Sequence, residues 1–65
     1  MSRASHRAEW QAARLYAAAE DALKKVKRGE LERAMVELVR VEGIAIQARQ
    51  AVRAAMDELA RKEAL

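Results

Sequence analysis

Apolar residues recur along this chain with the period of an α-helix, not of a strand. Ahead of Gly29 they fall on one arc when the residues are placed at about 100° intervals. Most members of that arc are alanines: Ala4, Ala8, Ala12, Leu15, Ala18, Ala19, Ala22, Leu23 and Val26. Strands would need alternating β-branched and aromatic residues, and the chain has no such alternation. The pattern predicts a first helix over about residues 3–28.

The stretch around Gly29 carries the signals of a helix end followed by a helix start. Basic residues precede the glycine, where the negative end of a helix dipole favours cations. Glycine can adopt the left-handed conformation that commonly ends a helix. Glu30 and Glu32 follow, where the next helix has its positive end. These signals predict a tight turn between two antiparallel helices.

The second helix is predicted over about residues 31–64. Gly43 is its only interior glycine, and one such residue costs about 1 kcal/mol relative to alanine without ending a helix. A break at Gly43 into three helices is the less favoured alternative, because one residue is too short a reversal. The arc of this helix holds most of the large aliphatic side chains: Leu31, Ala34, Met35, Leu38, Val39, Val41, Ala45, Ile46, Ala48, Val52, Met56 and Leu59.

That second arc is wider than one neighbouring helix can cover, and the first helix offers mostly alanine in return. A chain of 65 residues rarely buries enough apolar surface to fold alone without disulfides or a metal. We therefore predict an all-α fold, a two-helix antiparallel hairpin that associates with copies of itself into a homodimeric or higher four-helix-type bundle. The predicted interface consists of Leu31, Met35, Leu38, Val39, Glu42, Ala45, Ile46, Arg49, Val52 and Met56.

Glu42 is the most unusual residue of this interface, because its spacing places a carboxylate within the apolar arc. If two copies of the second helix pack antiparallel about a point between Ala45 and Ile46, Glu42 faces Arg49 of the partner subunit twice. A structural ion pair that fixes the register is the favoured interpretation. The alternative is a desolvated carboxylate that acts as a general base or a metal ligand.

Composition narrows the class of protein. The chain has sixteen alanines and lacks Cys, Pro, Phe, Thr and Asn, which is typical of long helices and excludes disulfides and cysteine-based metal sites. Neither a signal peptide nor a membrane span is predicted, so we expect a soluble, cytoplasmic protein. The restricted residue usage is compatible with a designed protein, whereas the arginine excess and the placement of Glu42 argue against design, so the sequence does not decide the origin.

Charge is distributed unevenly, with a net charge of +3 that comes from the first helix. A small nucleic-acid-binding regulatory hairpin dimer is therefore an alternative function, with phosphate contacts from Arg7, Arg14, Lys24, Lys25, Lys27 and Arg28. The cluster before Gly29 is also where the helix dipole favours cations without any partner. That second explanation is preferred, so nucleic acid is a disfavoured partner.

A further patch is predicted on the side of the first helix away from the alanine arc. It consists of His6, Trp10, Ala13 and Ala17 and is a candidate for a secondary contact. His6 and Glu9 have the spacing of two metal ligands on a helix, but a metal site needs more ligands than this chain has nearby. No cofactor and no metal are predicted.

No nucleophilic, nucleotide-binding or metal-hydrolase motif occurs in the sequence. The predicted function is therefore a self-associating helical bundle that serves as a structural or protein-interaction module without catalysis.

Overall fold

The computed structural model describes residues 3–64, which form two α-helices packed side by side. Helix α1 spans Arg3–Lys27 and helix α2 spans Leu31–Ala64. The predicted all-α class and helical hairpin are confirmed, and residues 3–64 contain no strand. The molecule is elongated, with extents of 54 × 17 × 12 Å, so almost every residue lies on one of two long helical surfaces.

The turn closes with the geometry expected of a glycine helix end. Gly29 has a φ of 79°, a left-handed conformation that residues with a side chain rarely adopt. Its N–H donates to the Val26 carbonyl at 3.0 Å, and the Glu30 N–H donates to the Lys25 carbonyl at 2.9 Å. These two bonds satisfy carbonyls at the end of α1 in a Schellman motif. The chain then enters α2 directly, and the Ala34 N–H donates to the Glu30 carbonyl at 2.9 Å.

The two helices meet along a seam of small residues, which we call the interhelical seam. Its buried members recur at spacings of three and four on each helix, or at sums of these, as in a coiled coil. They are Gln11, Ala18 and Ala22 on α1, and Ala34, Ile44, Ala48 and Ala51 on α2. Ile44 is the one large aliphatic side chain among them. Alanine lets the helix axes approach closely, and the seam therefore uses little of the chain's large apolar surface.

Two seam residues differ from the sequence-based expectation. Ile44 was outside the predicted apolar arc, yet it is 5% exposed and is the most buried large side chain of α2. Glu37 belongs to neither the predicted apolar arc nor the predicted interface, yet its side chain is only 17% exposed, and its Oε2 atom is buried without a hydrogen bond. Both follow from the alternation of three- and four-residue steps that links Ala34, Glu37, Val41 and Ile44.

Helix α2 continues without a break through Gly43, which excludes the three-helix alternative. A Cβ atom placed on Gly43 would meet nothing within 4 Å in this hairpin. The glycine is therefore not required by close packing of α1 against α2.

Candidate self-association surface

A second apolar line runs along α2 beside the seam. It occurs at alternating spacings of four and three residues over the length of the helix, as a coiled-coil seam does. We call it the outer stripe of α2; it comprises Leu31, Met35, Leu38, Glu42, Ala45, Arg49, Val52, Met56 and Leu59. By helical geometry this stripe lies about 100° around α2 from the interhelical seam. That angle suits a helix in a four-helix bundle, which must face two neighbours.

Large side chains of this outer stripe are exposed in the hairpin. Leu31, Met35, Met56 and Leu59 are 62%, 63%, 65% and 58% exposed, respectively. With Leu38 and Val52, which are 42% and 44% exposed, they form two apolar groups, one toward each end of the helix. Exposed apolar surfaces of that kind usually mark a contact with another molecule. The residues that the hairpin buries are therefore mostly small, and most of its large apolar side chains are exposed.

Helix α1 extends this apolar surface. A shallow groove of about 710 Å³ runs between the helices, with Ala12 and Leu15 on one wall and Ala45, Val52 and Met56 on the other. The groove shows that α1 presents a parallel line of residues to the same side of the molecule. We call that line the outer stripe of α1; by steps of three and four residues it comprises Ser5, Glu9, Ala12, Tyr16, Ala19, Leu23 and Val26. Tyr16, Leu23 and Val26 are exposed, so the apolar surface spans both helices.

Two charged residues interrupt the outer stripe of α2 near its middle. Glu42 and Arg49 are both exposed, and neither makes an ion pair or hydrogen bond within residues 3–64. They lie one on each side of Ala45, two turns apart on the same face. A molecule that covers this stripe would therefore have to supply a partner for each of these two charges.

The opposite side of the hairpin is polar and already internally paired. The Lys25 Nζ atom lies 2.7 Å from the Asp21 Oδ2 atom and 3.9 Å from the Glu37 Oε1 atom, which joins the helices near the turn. The hydrogen bond from Lys25 lowers the pKa of Asp21 below its ordinary value of 3.8, and the nearby charges of Lys25, Lys24 and Arg28 act in the same direction. Partial burial opposes the shift.

A second polar link joins the middle of the two helices. The Arg14 Nη1 atom donates to Gln11 Oε1 at 3.2 Å and to Gln47 Oε1 at 3.4 Å. The same guanidinium lies over the Trp10 ring, 5.1 Å from its centroid. Arg14 therefore spans the edge of the seam, and its position shows that it lies level with Gln47 in the antiparallel pair.

The six candidate phosphate contacts do not form one free basic surface. Lys25 is half-buried and held by two carboxylates, while Arg28 lies 3.7 Å from the Glu30 carboxylate. Arg14 is committed to the contacts described above. Arg7, Lys24 and Lys27 are exposed and spread over almost the whole length of α1. Half of the predicted cluster is therefore already engaged by groups of the hairpin itself.

The predicted secondary contact lies on this polar side. His6, Trp10, Ala13 and Ala17 are all exposed, and Trp10 is 60% exposed although Arg14 covers part of its ring. The patch is small compared with the two outer stripes. Residues 3–64 contain no group of three or more His, Asp or Glu side chains placed to hold a metal ion.

The predicted interface shares eight residues with the outer stripe of α2 but lacks Leu59 and includes Val39 and Ile46, which are 63% and 50% exposed and lie on neither line. The sequence patterns did not separate the seam from the stripe. A wheel at 100° per residue merges the seam and the outer stripe into one wide arc, whereas steps of three and four residues separate them. Neither helix has the length and apolarity needed to cross a membrane within the part of the chain that is described. No family model, curated protein or solved structure matches the chain.

Proposed function

We propose that the protein is a self-associating structural or interaction module, and that a second copy of the hairpin covers the two outer stripes. The observation that carries this proposal is the exposure of the large side chains. The seam of a single hairpin buries five alanines, one isoleucine and one glutamine, and leaves leucine, methionine and valine side chains in water. Covering them removes apolar surface from solvent, which is the main driving force of association between subunits.

The order of residues along the outer stripe of α2 supports a second copy as the occupant. Read from either end, the stripe gives Leu, Met, an aliphatic residue, a charged residue, and then the central Ala45. An antiparallel copy therefore brings like against like among the apolar residues, with Leu31 near Leu59 and Met35 opposite Met56. At the two charged positions unlike residues face each other, because Glu42 lies opposite Arg49 of the partner subunit and Arg49 lies opposite Glu42 of the partner subunit. An unrelated partner would have no reason to match this order.

The charged pair gives the interface a preferred register. Both side chains lose water when a copy docks, and a carboxylate or guanidinium that is buried without a partner is strongly destabilising. Only a register that brings Glu42 to Arg49 compensates both charges. In this proposal the pair contributes specificity more than affinity, and the surrounding aliphatic side chains supply most of the free energy of association.

Thermal unfolding across a concentration series tests the proposal. If association stabilises the folded hairpin, the Tm measured by circular dichroism rises with protein concentration, because the associated form is favoured by mass action. A Tm that does not change over a hundredfold range of concentration would show that the hairpin folds alone and would refute the proposal.

A further inference from the structure

Two hairpins can stack face to face through their outer stripes in two symmetric ways. In the first, each helix lies over its own copy in the opposite direction, and the turn of one hairpin lies over the open end of the other. In the second, turn lies over turn, and α1 of one copy covers α2 of the other. The choice rests on the self-association proposed above and determines which residues of α1 enter the interface.

The internal register of the hairpin links the two helices. Arg14 lies level with Gln47, and Lys25 lies approximately level with Glu37. Because the helices are antiparallel, two steps forward on α1 correspond to two steps back on α2, so Tyr16 lies level with Ala45. A two-fold axis that passes α2 between Ala45 and Ile46 therefore passes α1 between Leu15 and Tyr16.

Charge separates the two arrangements. With turn over turn, Glu42 would lie opposite Ala19 of the partner subunit, and Arg49 opposite Ala12 of the partner subunit, so both charges would be covered without a partner. The cost of such burial is several-fold larger than the gain from one aliphatic contact. With turn over open end, Glu42 and Arg49 compensate each other. Glu9 is covered in both arrangements and therefore does not separate them.

Side-chain size along α1 also favours the first arrangement, with turn over open end. The two-fold axis brings Leu23 opposite Ala8 of the partner subunit and Val26 opposite Ser5 of the partner subunit. Leu23 and Val26 project from the turn half of α1 and are 51% and 47% exposed. Ser5 and Ala8 lie in a groove of about 370 Å³ at the open end of the hairpin. The remaining apolar wall of this groove is formed by Val52, Ala55, Met56 and Leu59.

We infer that the partner surface for Leu23 and Val26 is this open-end groove of a second, antiparallel copy. Each dimer then contains the contact twice, and α1 takes part in the interface through its bulky turn half and through an open half in which Ser5, Ala8 and Ala12 flank Glu9. The result is a four-helix bundle in which α1 packs on α1 and α2 packs on α2.

Single-cysteine variants test the arrangement directly, because the chain has no cysteine of its own. Ala8→Cys and Leu23→Cys proteins are mixed so that their subunits exchange. The mixture is then oxidised, and the products are separated on a non-reducing gel. A disulfide needs Cα atoms within about 7 Å, so it forms only between residues that face each other. We expect the mixture to shift from 7.3 kDa to the position of a covalent dimer. Neither variant alone should give that shift.

A Leu23→Cys and Leu38→Cys mixture is the matched control, because these two positions face each other only with turn over turn. Cross-linking in this mixture and not in the first overturns the inference while leaving self-association intact. A wild-type chain that stays monomeric refutes the proposed function itself. If the cysteine variants alter folding, an exchange of the large and the small side chain between the two positions gives an independent readout. Ala8→Leu or Leu23→Ala alone should weaken the dimer, and the double variant should regain part of the lost affinity. A double variant whose loss of affinity equals the sum of the two single losses also overturns the inference.

Discussion

The interhelical seam and the outer stripe of α2 share one helix and one repeat of three and four residues, but their side chains differ sharply. The seam is built from alanines, and its buried members include a single large aliphatic residue, Ile44. The outer stripe holds leucine, methionine and valine, and these are 42–65% exposed. One line gives close approach of two helices of the same chain, while the other has the larger apolar surface and no neighbour.

The buried residues of a single hairpin therefore do not show which side chains contribute most to the free energy of folding and association. Burying an alanine contributes little, because it removes little surface from water, whereas a leucine contributes about 1.5–3 kcal/mol when fully covered. Folding and association are therefore expected to be coupled, as in many small proteins that lack a sufficient core of their own.

The largest effect is expected from a charge placed in the outer stripe. Leu38→Glu buries a carboxylate at two symmetric positions of the dimer and removes two leucine contacts. A loss on the order of 4 kcal/mol, roughly a thousandfold in Kd, is expected. Sedimentation equilibrium measures the change. Val36→Glu is the matched control, because Val36 is 69% exposed and lies off both lines of α2. If both variants associate equally well, the outer stripe is not the interface.

A smaller effect is expected from the charges within the stripe. Glu42→Arg creates two like-charged pairs with Arg49 in the antiparallel dimer, and a weakening of about 2–3 kcal/mol is expected. Arg49→Glu should act similarly, and the double exchange should restore association. Dissociation constants of the four proteins form a double-mutant cycle. Additive effects without rescue would show that these residues do not face each other.

A smaller loss of stability is expected when a buried residue of the seam is replaced by a larger one. Ala22 is 2% exposed against α2, so Ala22→Leu should destabilise the folded chain by about 1–3 kcal/mol. Urea unfolding measures this change, with Ala13→Leu as the control at an exposed position of the same helix. An unchanged stability of Ala22→Leu would mean that the two helices do not pack through this residue.

A stabilising effect is expected at Gly43. A Cβ atom meets nothing there, so Gly43→Ala should stabilise the helical state by about 1 kcal/mol per chain through its helix propensity alone. The Kd of association should barely change, because Gly43 lies off both lines. A Gly43→Ala protein that unfolds more easily would place a second molecule against this glycine.

The smallest effect is expected at the polar side. The pKa of Asp21 is lowered by Lys25, so the stabilisation from its carboxylate is fully present above the ordinary pKa of 3.8 and is lost as the pH falls through the lower pKa of the folded state. Asp21→Asn should therefore lower the Tm slightly at pH 7 and not at about pH 2. Glu20→Gln, which changes a neighbouring carboxylate without an ion pair in the described chain, should leave the Tm unchanged at both.

Local signals in the sequence were sufficient for the hairpin. Gly29 between basic and acidic residues specifies the turn, and the absence of breakers specifies two long helices. The assignment of α2 residues to the seam or to the outer stripe could not be predicted from local signals. Ile44 and Glu37 lie on the seam because a neighbouring helix selects the line that follows steps of three and four residues, and that choice depends on packing, not on local preference. Glu42, expected inside an apolar core, is exposed in the single hairpin, and its burial stays a prediction about the assembled form.

The mass of the wild-type protein in solution tests the central claim most directly. Light scattering behind size-exclusion chromatography, repeated at several loading concentrations, should give about twice the chain mass of 7.3 kDa, or a higher multiple, and should fall toward 7.3 kDa only on dilution. A helical species that remains at 7.3 kDa at every concentration would contradict the claim that the outer stripes are covered by a second copy.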